Sequence, residues 1–154
     1  MISVTQAEEI VKAHIVNFGS ERLPLSECIG KVLKEDWYTD RDLPPYDRVT
    51  MDGIAIRFET FTEGIKSFPI AGVAAAGASQ MTMDDPSKCL EVMTGSIMPI
   101  GLDCVIRYED LTIEDNIATV NIDKIKALQN IHFRGEDRKS GDLIVKANTI
   151  ISPS

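Results

Sequence analysis

The sequence predicts a mainly β fold with one N-terminal α-helix (α+β), its short strands coiling into a small barrel or strongly curled sheets. Three observations lead there. Helical periodicity behind a capping signal occurs at the N-terminus. From Ile54 onward the apolar runs are short and β-like. Turn chemistry interrupts those runs at close intervals, which favours small barrels over long layers.

The helix is signalled by Ser3 with Gln6, or Thr5 with Glu8, as a capping box, followed by Ala7, Ile10, Val11, Ile15 and Phe18 at spacings of three and four. Gly19 is the expected stop. His14 falls on the apolar side, where a buried or half-buried structural histidine is expected rather than a ligand, since no second metal-type residue sits at matched spacing. Ser26 to Gly30 reads as a short turn of helix or a tight connection, and Val32 to Tyr38 as a strand in which Trp37 packs. The further strands are Ile54 to Phe58, Phe68 to Val73, Lys88 to Met93, Asp103 to Tyr108, Ile117 to Ile122 and Leu143 to Val145. Asp84-Asp85-Pro86, Met98-Pro99-Ile100-Gly101, Asp115-Asn116 and Ser140-Gly141-Asp142 separate them. Gly72 through Gly77 is too small-sided to fill a core alone, so either another backbone approaches there or the stretch is a loop.

A chain of 154 residues implies about one domain and a real core. With 16 basic against 24 acidic residues and a net charge of −8, a nucleic-acid surface is not expected. Any phosphate-bearing ligand must be met locally, by a few arginines or a metal. Cys28, Cys89 and Cys104 are odd in number and lack zinc or redox spacing, so they fit a reducing compartment and core packing. No basic region precedes an apolar run at the N-terminus and no long apolar stretch occurs, so a soluble, cytoplasmic protein with no membrane contact is the default. The tail from Asn148 ends in Ser-Pro-Ser and resembles an interdomain linker, which hints at a missing part.

Three segments have a composition that periodicity does not explain. In Leu43-Pro44-Pro45-Tyr46-Asp47-Arg48-Val49-Thr50-Met51-Asp52-Gly53, two prolines hold the chain extended and Asp-Gly signals a tight turn that would present the Asp52 carboxylate. The plain alternative is a loop and hairpin turn. In Glu91-Val92-Met93-Thr94-Gly95-Ser96, followed by Pro99 and Gly101, a strand feeds a hydroxyl-rich glycine turn whose amides and hydroxyls suit an oxyanion. Standing alone, the segment reads more readily as an ordinary hairpin with Thr94 bonding its own backbone. In Asn130 to Gly141, Gly135 and Gly141 bracket Glu136, Asp137 and the cations Arg138 and Lys139, while His132 and Arg134 stand ahead of the first. Such mixed charge is otherwise a solvated surface. Asp52, Glu136 and Asp137 offer oxygens of the kind Mg2+ takes, and Arg134 and Arg138 can meet phosphate or another oxyanion.

In this order and at these separations the segments resemble the N-terminal region of the molybdopterin molybdenumtransferase (MoeA) family, which also includes the gephyrin E domain. The resemblance rests on Pro44 to Arg57, on Val92-Met93-Thr94-Gly95-Ser96 through Val105, and on Asn130-Ile131 through Asp137, and it spans nearly all of the chain. Arg48, Val49, Ile54 and His132 stand where the family pattern has Asn, Ser, Tyr and Arg.

The resemblance implies two lobes of coiled, barrel-like sheet. A discontinuous lobe of residues 1–42 and 130–154 carries the helix, and a β-rich lobe of residues 43–129 is inserted. It implies a transferase of molybdenum cofactor biosynthesis, with Mg2+-dependent insertion of molybdate into adenylated molybdopterin and release of AMP. The catalytic residues it implies are Asp52, Thr94 and Asp137; Gly95, Arg134 and Glu136 are the substrate-binding candidates; the metal ligands are open. It further implies a homodimer, in which each N-terminal lobe helps form a site against the other subunit's pterin-binding domain. That domain and a further β domain are expected after Ser154, without which this chain alone should not complete the reaction. Two other readings remain: a non-catalytic dimerisation or scaffold module of the same fold, and a free-standing oxyanion or nucleotide-binding protein.

Overall fold

Ser3 starts the N-terminal helix by accepting a hydrogen bond from the Gln6 amide while its own amide donates to the Gln6 side chain, so two otherwise orphaned donors are satisfied. In the computed structural model, which describes residues 2–16 and 18–153, this helix (α1, Val4–Ala13) ends earlier than Gly19. It buries none of its residues. His14 caps its C-terminal end in the open, its Nδ1 2.7 Å from the Ile10 carbonyl oxygen, instead of being buried. The reason is that the helix finds no apolar cover within its own unit, where Leu33 is the one buried hydrophobic among the described residues. Local capping therefore carries much of its stability. Ser3→Ala is expected to cost the helix about 1 kcal/mol, read as faster amide exchange across Val4–Ala13.

By compactness the chain divides into residues 1–37 with 143–154, and residues 38–142. Within the second unit the pairing of residues 48–49 with 131–132 ties the third segment to the β-rich part. The first unit holds α1, a short 3-10 turn at Leu25–Glu27, and an antiparallel contact of Val32 with Ile150.

The strands in chain order are β1 (Trp37–Tyr38), β2 (Arg48–Val49), β3 (Gly53–Ile56), β4 (Ser67–Ala74), β5 (Cys89–Val92), β6 (Cys104–Arg107), β7 (Leu111–Glu114), β8 (Ile117–Val120), β9 (Ile131–His132) and β10 (Leu143–Val145). Six of them form one curled half-barrel sheet in the order β6-β3-β5-β4-β8-β7, antiparallel except for β4 with β5. The mainly β class with an N-terminal helix is thus what the chain adopts. A second short helix, α2 (Phe58–Thr62), follows β3.

Side chains alternate across a strand, and here both faces are covered. Ile54, Ile56, Phe68, Cys104 and Ile106 pack on one side, and Ala55, Leu90, Val92 and Val105 on the other. That is why the central strands read as unbroken apolar runs. Val49 and Ile131 belong to the second of these layers, so the small β2–β9 pair is seated on the sheet. Gly72 lies within β4, and Asp115-Asn116, both at positive φ, make the two-residue hairpin that joins β7 to β8.

Cys89 and Cys104 fill core space as expected, and burial pushes both thiols up to about 12. Cys28 is half-buried. A thiol reagent at pH 8 is therefore expected to label Cys28 alone in the folded protein, and all three cysteines only after denaturation.

Candidate functional site

The six candidate residues all lie in the second unit. An open groove of about 740 Å³ in the first unit contains none of them.

Register places Asp52. Gly53 opens β3 opposite Val92 of β5 on one side and Arg107 of β6 on the other, so the residue before it emerges where three adjacent strands end together. Asp-Gly is here no hairpin turn. The Asp52 carbonyl accepts the Tyr108 amide at 3.2 Å, and its carboxylate meets the turn that follows β5. Asp52 Oδ1 accepts both the Thr94 amide, at 2.6 Å, and the Thr94 hydroxyl, at 2.8 Å. These two donors, the amide first, hold the exposed carboxylate below its usual range.

The turn at Thr94-Gly95-Ser96 therefore does something other than expected. Its amides do not point out as an oxyanion nest. Thr94 donates to Asp52, Gly95 to the Val49 carbonyl at 2.9 Å, and Ser96 to the Met93 carbonyl at 2.9 Å. Gly95 takes φ +89, which a residue with a side chain resists. The turn's chemistry is to fix Asp52. Thr94 bonds a distant carboxylate, so the reading in which it bonds only its own backbone does not hold.

The third segment lies along the first. Gly135 donates to Pro44, Asp137 and Arg138 both donate to the Leu43 carbonyl, and Leu43 donates to Arg138. Asp47 accepts the Arg134 amide at 2.8 Å. Asp42 accepts Arg134 Nε at 2.8 Å and the Ser140 amide at 3.0 Å, and is held low in pKa by Ser140 first and Arg134 second. The proline stretch is thus a rail that shapes the 134–140 loop.

On that loop the candidates divide. Arg134 spends Nε on Asp42 yet stays two-thirds exposed, its terminal nitrogens clear of that bond. Glu136 closes its own turn by accepting the Phe133 amide at 2.9 Å. Asp137 is paired with His132, Nε2 to Oδ1 at 3.0 Å. Asp52, Thr94 and Gly95 are brought together directly, whereas Arg134, Glu136 and Asp137 form a second cluster carried by the β2–β9 pair.

Sequence reasoning missed several members. Tyr108 donates from its hydroxyl to Glu91 at 3.1 Å beside Asp52, and its pKa is raised by burial and then by Glu91. A glutamate within an otherwise apolar strand was the available signal. Arg48 and His132, noted only as departures, pair with each other at 3.1 Å.

The family model described as "MoeA N-terminal region (domain I and II)" matches residues 2–154. The chain belongs to the MoeA N-terminal family. Among curated relatives, the molybdopterin molybdenumtransferase of Synechocystis sp. is 38% identical over 150 residues, covering 97% of this chain and 38% of that protein. The one from Staphylococcus epidermidis is 32% identical over 149 residues, covering 94% and 35%. This MoeA N-terminal chain thus spans little more than a third of the relatives it matches. Two solved structures of the molybdopterin biosynthesis MoeA protein from Pyrococcus horikoshii are similar. One has a TM-score of 0.81 at 26% identity, covering 98% of this chain and 39% of that one. The other has a TM-score of 0.77 at 34% identity, covering 86% and 36%.

Among the described residues of this MoeA chain no group of three His, Cys, Asp or Glu side chains gathers to hold a metal. A dedicated cage is therefore not built from them. Mg2+ needs only one or two carboxylates when phosphates and water supply the rest, and Asp52, exposed and held by one oxygen with Oδ2 clear of Thr94, fits that lesser demand. Among the described residues no helix is long and apolar enough to cross a membrane.

Proposed function

We propose that this chain supplies the N-terminal part of a molybdenumtransferase, which inserts molybdate into adenylated molybdopterin with release of AMP during molybdenum cofactor assembly. The relatives' printed name supports the reaction class. The observation that carries the reading is the Asp52 carboxylate, held as an anion by both donors of Thr94 at an exposed strand end.

Asp52 would hold Mg2+ together with the substrate's phosphates. When bound, the ion supplies charge neutralisation at the phosphate that leaves with AMP. The chain's own part is preorganisation. Thr94 commits its proton to Asp52, so toward a ligand its oxygen is an acceptor, open to a donor group of the substrate. Arg134 offers its terminal nitrogens to an oxyanion, with its stem braced by Asp42. Asp137 brings a second exposed carboxylate. The substrate itself is met by a pterin-binding domain, placed in our reading on the partner subunit of a homodimer, and the work is done in the cytoplasm.

The test is direct. The full-length protein, supplied with adenylated molybdopterin, molybdate and Mg2+, is expected to release AMP stoichiometrically with molybdenum incorporation. AMP release no faster than in a chelated control would overturn the reading.

A further inference from the structure

We propose that Tyr108 and Glu91 are positioning residues for the Asp52 carboxylate: the hydrogen bond between them straps β6 to β5 across β3 and fixes the spacing of the two groups that hold Asp52. The inference rests on the reading of Asp52 as the Mg2+-binding group of the reaction site.

Asp52 is held at two points that belong to different strands. Its carboxylate accepts the amide and the hydroxyl of Thr94, just beyond the end of β5. Its carbonyl accepts the amide of Tyr108, the residue that follows β6, at 3.2 Å. Between these holders β3 begins at Gly53, which has no side chain with which to anchor that end. Because β5 and β6 flank β3, they run two strand spacings apart, about 10 Å. The Tyr108 hydroxyl crosses that gap and donates to Glu91 Oε1 at 3.1 Å. A ring of contacts is thereby closed, from the Asp52 carboxylate to Thr94, back along β5 to Glu91, over to Tyr108, and from its amide to the Asp52 carbonyl. With the strap in place the two holders keep one spacing, and the carboxylate between them keeps one pose.

Register and residue type both serve this arrangement. Ile54 of β3 is paired with Glu91 on one side and with Ile106 on the other. Tyr108, two residues after Ile106, returns to the face that Glu91 shares. Glu91 stands among Cys89, Leu90 and Val92, all fully buried. A half-covered carboxylate in such a strand costs stability unless it is paired, and Tyr108 supplies the donor. Burial first, then Glu91 and last the Asp52 charge raise the pKa of the phenol, so near neutrality it keeps the proton that the strap needs.

The experiment uses the full-length protein. In Tyr108→Phe and in Glu91→Leu, hydrogen exchange at the Thr94 and Tyr108 amides is expected to run about tenfold faster, with the Ile54 and Ile106 amides unchanged. In AMP release both variants are expected to lower kcat, or raise the half-saturating Mg2+ concentration, about tenfold, the size typical of groups that orient a metal-binding carboxylate, with the substrate KM little changed. Glu91→Gln, whose amide oxygen still accepts the phenol proton, is expected to recover most of both. The double variant Tyr108→Phe with Glu91→Leu, which leaves no carboxylate unpaired, is expected to be no worse than the poorer single one, since the two residues act as one contact. Wild-type exchange in Tyr108→Phe, equal loss in Glu91→Gln and Glu91→Leu, or additive losses in the double variant overturns the strap. Asp52→Asn separates the causes. Its full activity would remove Asp52 from the reaction and its positioning with it, whereas a collapse in Asp52→Asn beside an unaffected Tyr108→Phe would sink the strap alone.

Discussion

Asp52→Asn is expected to reduce AMP release by about a hundredfold or more, the scale on which a single preorganised electrostatic group acts, while leaving the fold intact. The asparagine oxygen can accept the same two bonds that Thr94 gives to Oδ1, so the turn after β5 keeps its anchor. What disappears is the negative charge and the second anionic oxygen. A matching thermal unfolding curve is the control that separates lost chemistry from lost structure. Unchanged turnover would remove Asp52 from the mechanism. The same geometry sets a pH expectation. The two Thr94 donors hold the folded pKa of Asp52 below the ordinary aspartate value, so its contribution is fully present above the unfolded pKa of about 3.9 and is lost only as pH falls through the lower folded value. Asp42 is shifted the same way by Ser140 and Arg134. The two anchors of the site are thus expected to fail together in acid, below the ordinary carboxylate range and not near neutrality.

Gly53→Ala is the substitution expected to cost most in stability. A Cβ at this position would lie 1.9 Å from the Ile106 carbonyl oxygen, 2.8 Å from its carbon and 2.9 Å from Arg107 Cα. These are backbone atoms of β6, paired across β3 and unable to swing aside as a flexible side chain can. Either the β3–β6 ladder opens at its Gly53–Arg107 end or the strands separate beneath the Ile54 and Ile106 layer. A loss of about 3 kcal/mol or more is expected in urea unfolding, together with loss of AMP release, because Asp52 is the next residue. An alanine variant as stable as the wild type would show that β3 and β6 can part at this end without cost.

Much of the β content was legible because the strands are covered on both faces and therefore appear as plain apolar runs. Cys89–Val92 and Cys104–Arg107 fall inside expected segments, and Gly53–Ile56 overlaps the one expected from Ile54 to Phe58. The strand Leu111–Glu114 was not found, since only Leu111 of its residues escapes full exposure. The two-residue strands β2 and β9 were also invisible, for pairing between residues 48–49 and 131–132 is a long-range event with no local pattern. Of the site, Asp52 and Thr94 stood out by residue type, but their bond depends on the register of β3 against β5. The amides of the glycine turn, expected to be open to an oxyanion, are taken up within the fold for the same reason: sequence cannot tell which carbonyls and carboxylates will arrive to meet them.

The seam between Leu43 and Arg138 continues to Thr39 and Asp142, where the Thr39 amide donates to the Asp142 carbonyl at 2.9 Å and the Gly141 amide returns to the Thr39 carbonyl at 2.9 Å. Entry and exit of the second unit are therefore side by side. This is the geometry that lets a guest module be spliced into a surface bend of a host without stretching it, and that tolerates joining its ends by a short bridge. A gene for residues 38–142 could thus be circularly permuted, with new termini cut at the Asp115-Asn116 hairpin, while the seam that shapes the 134–140 loop stays closed.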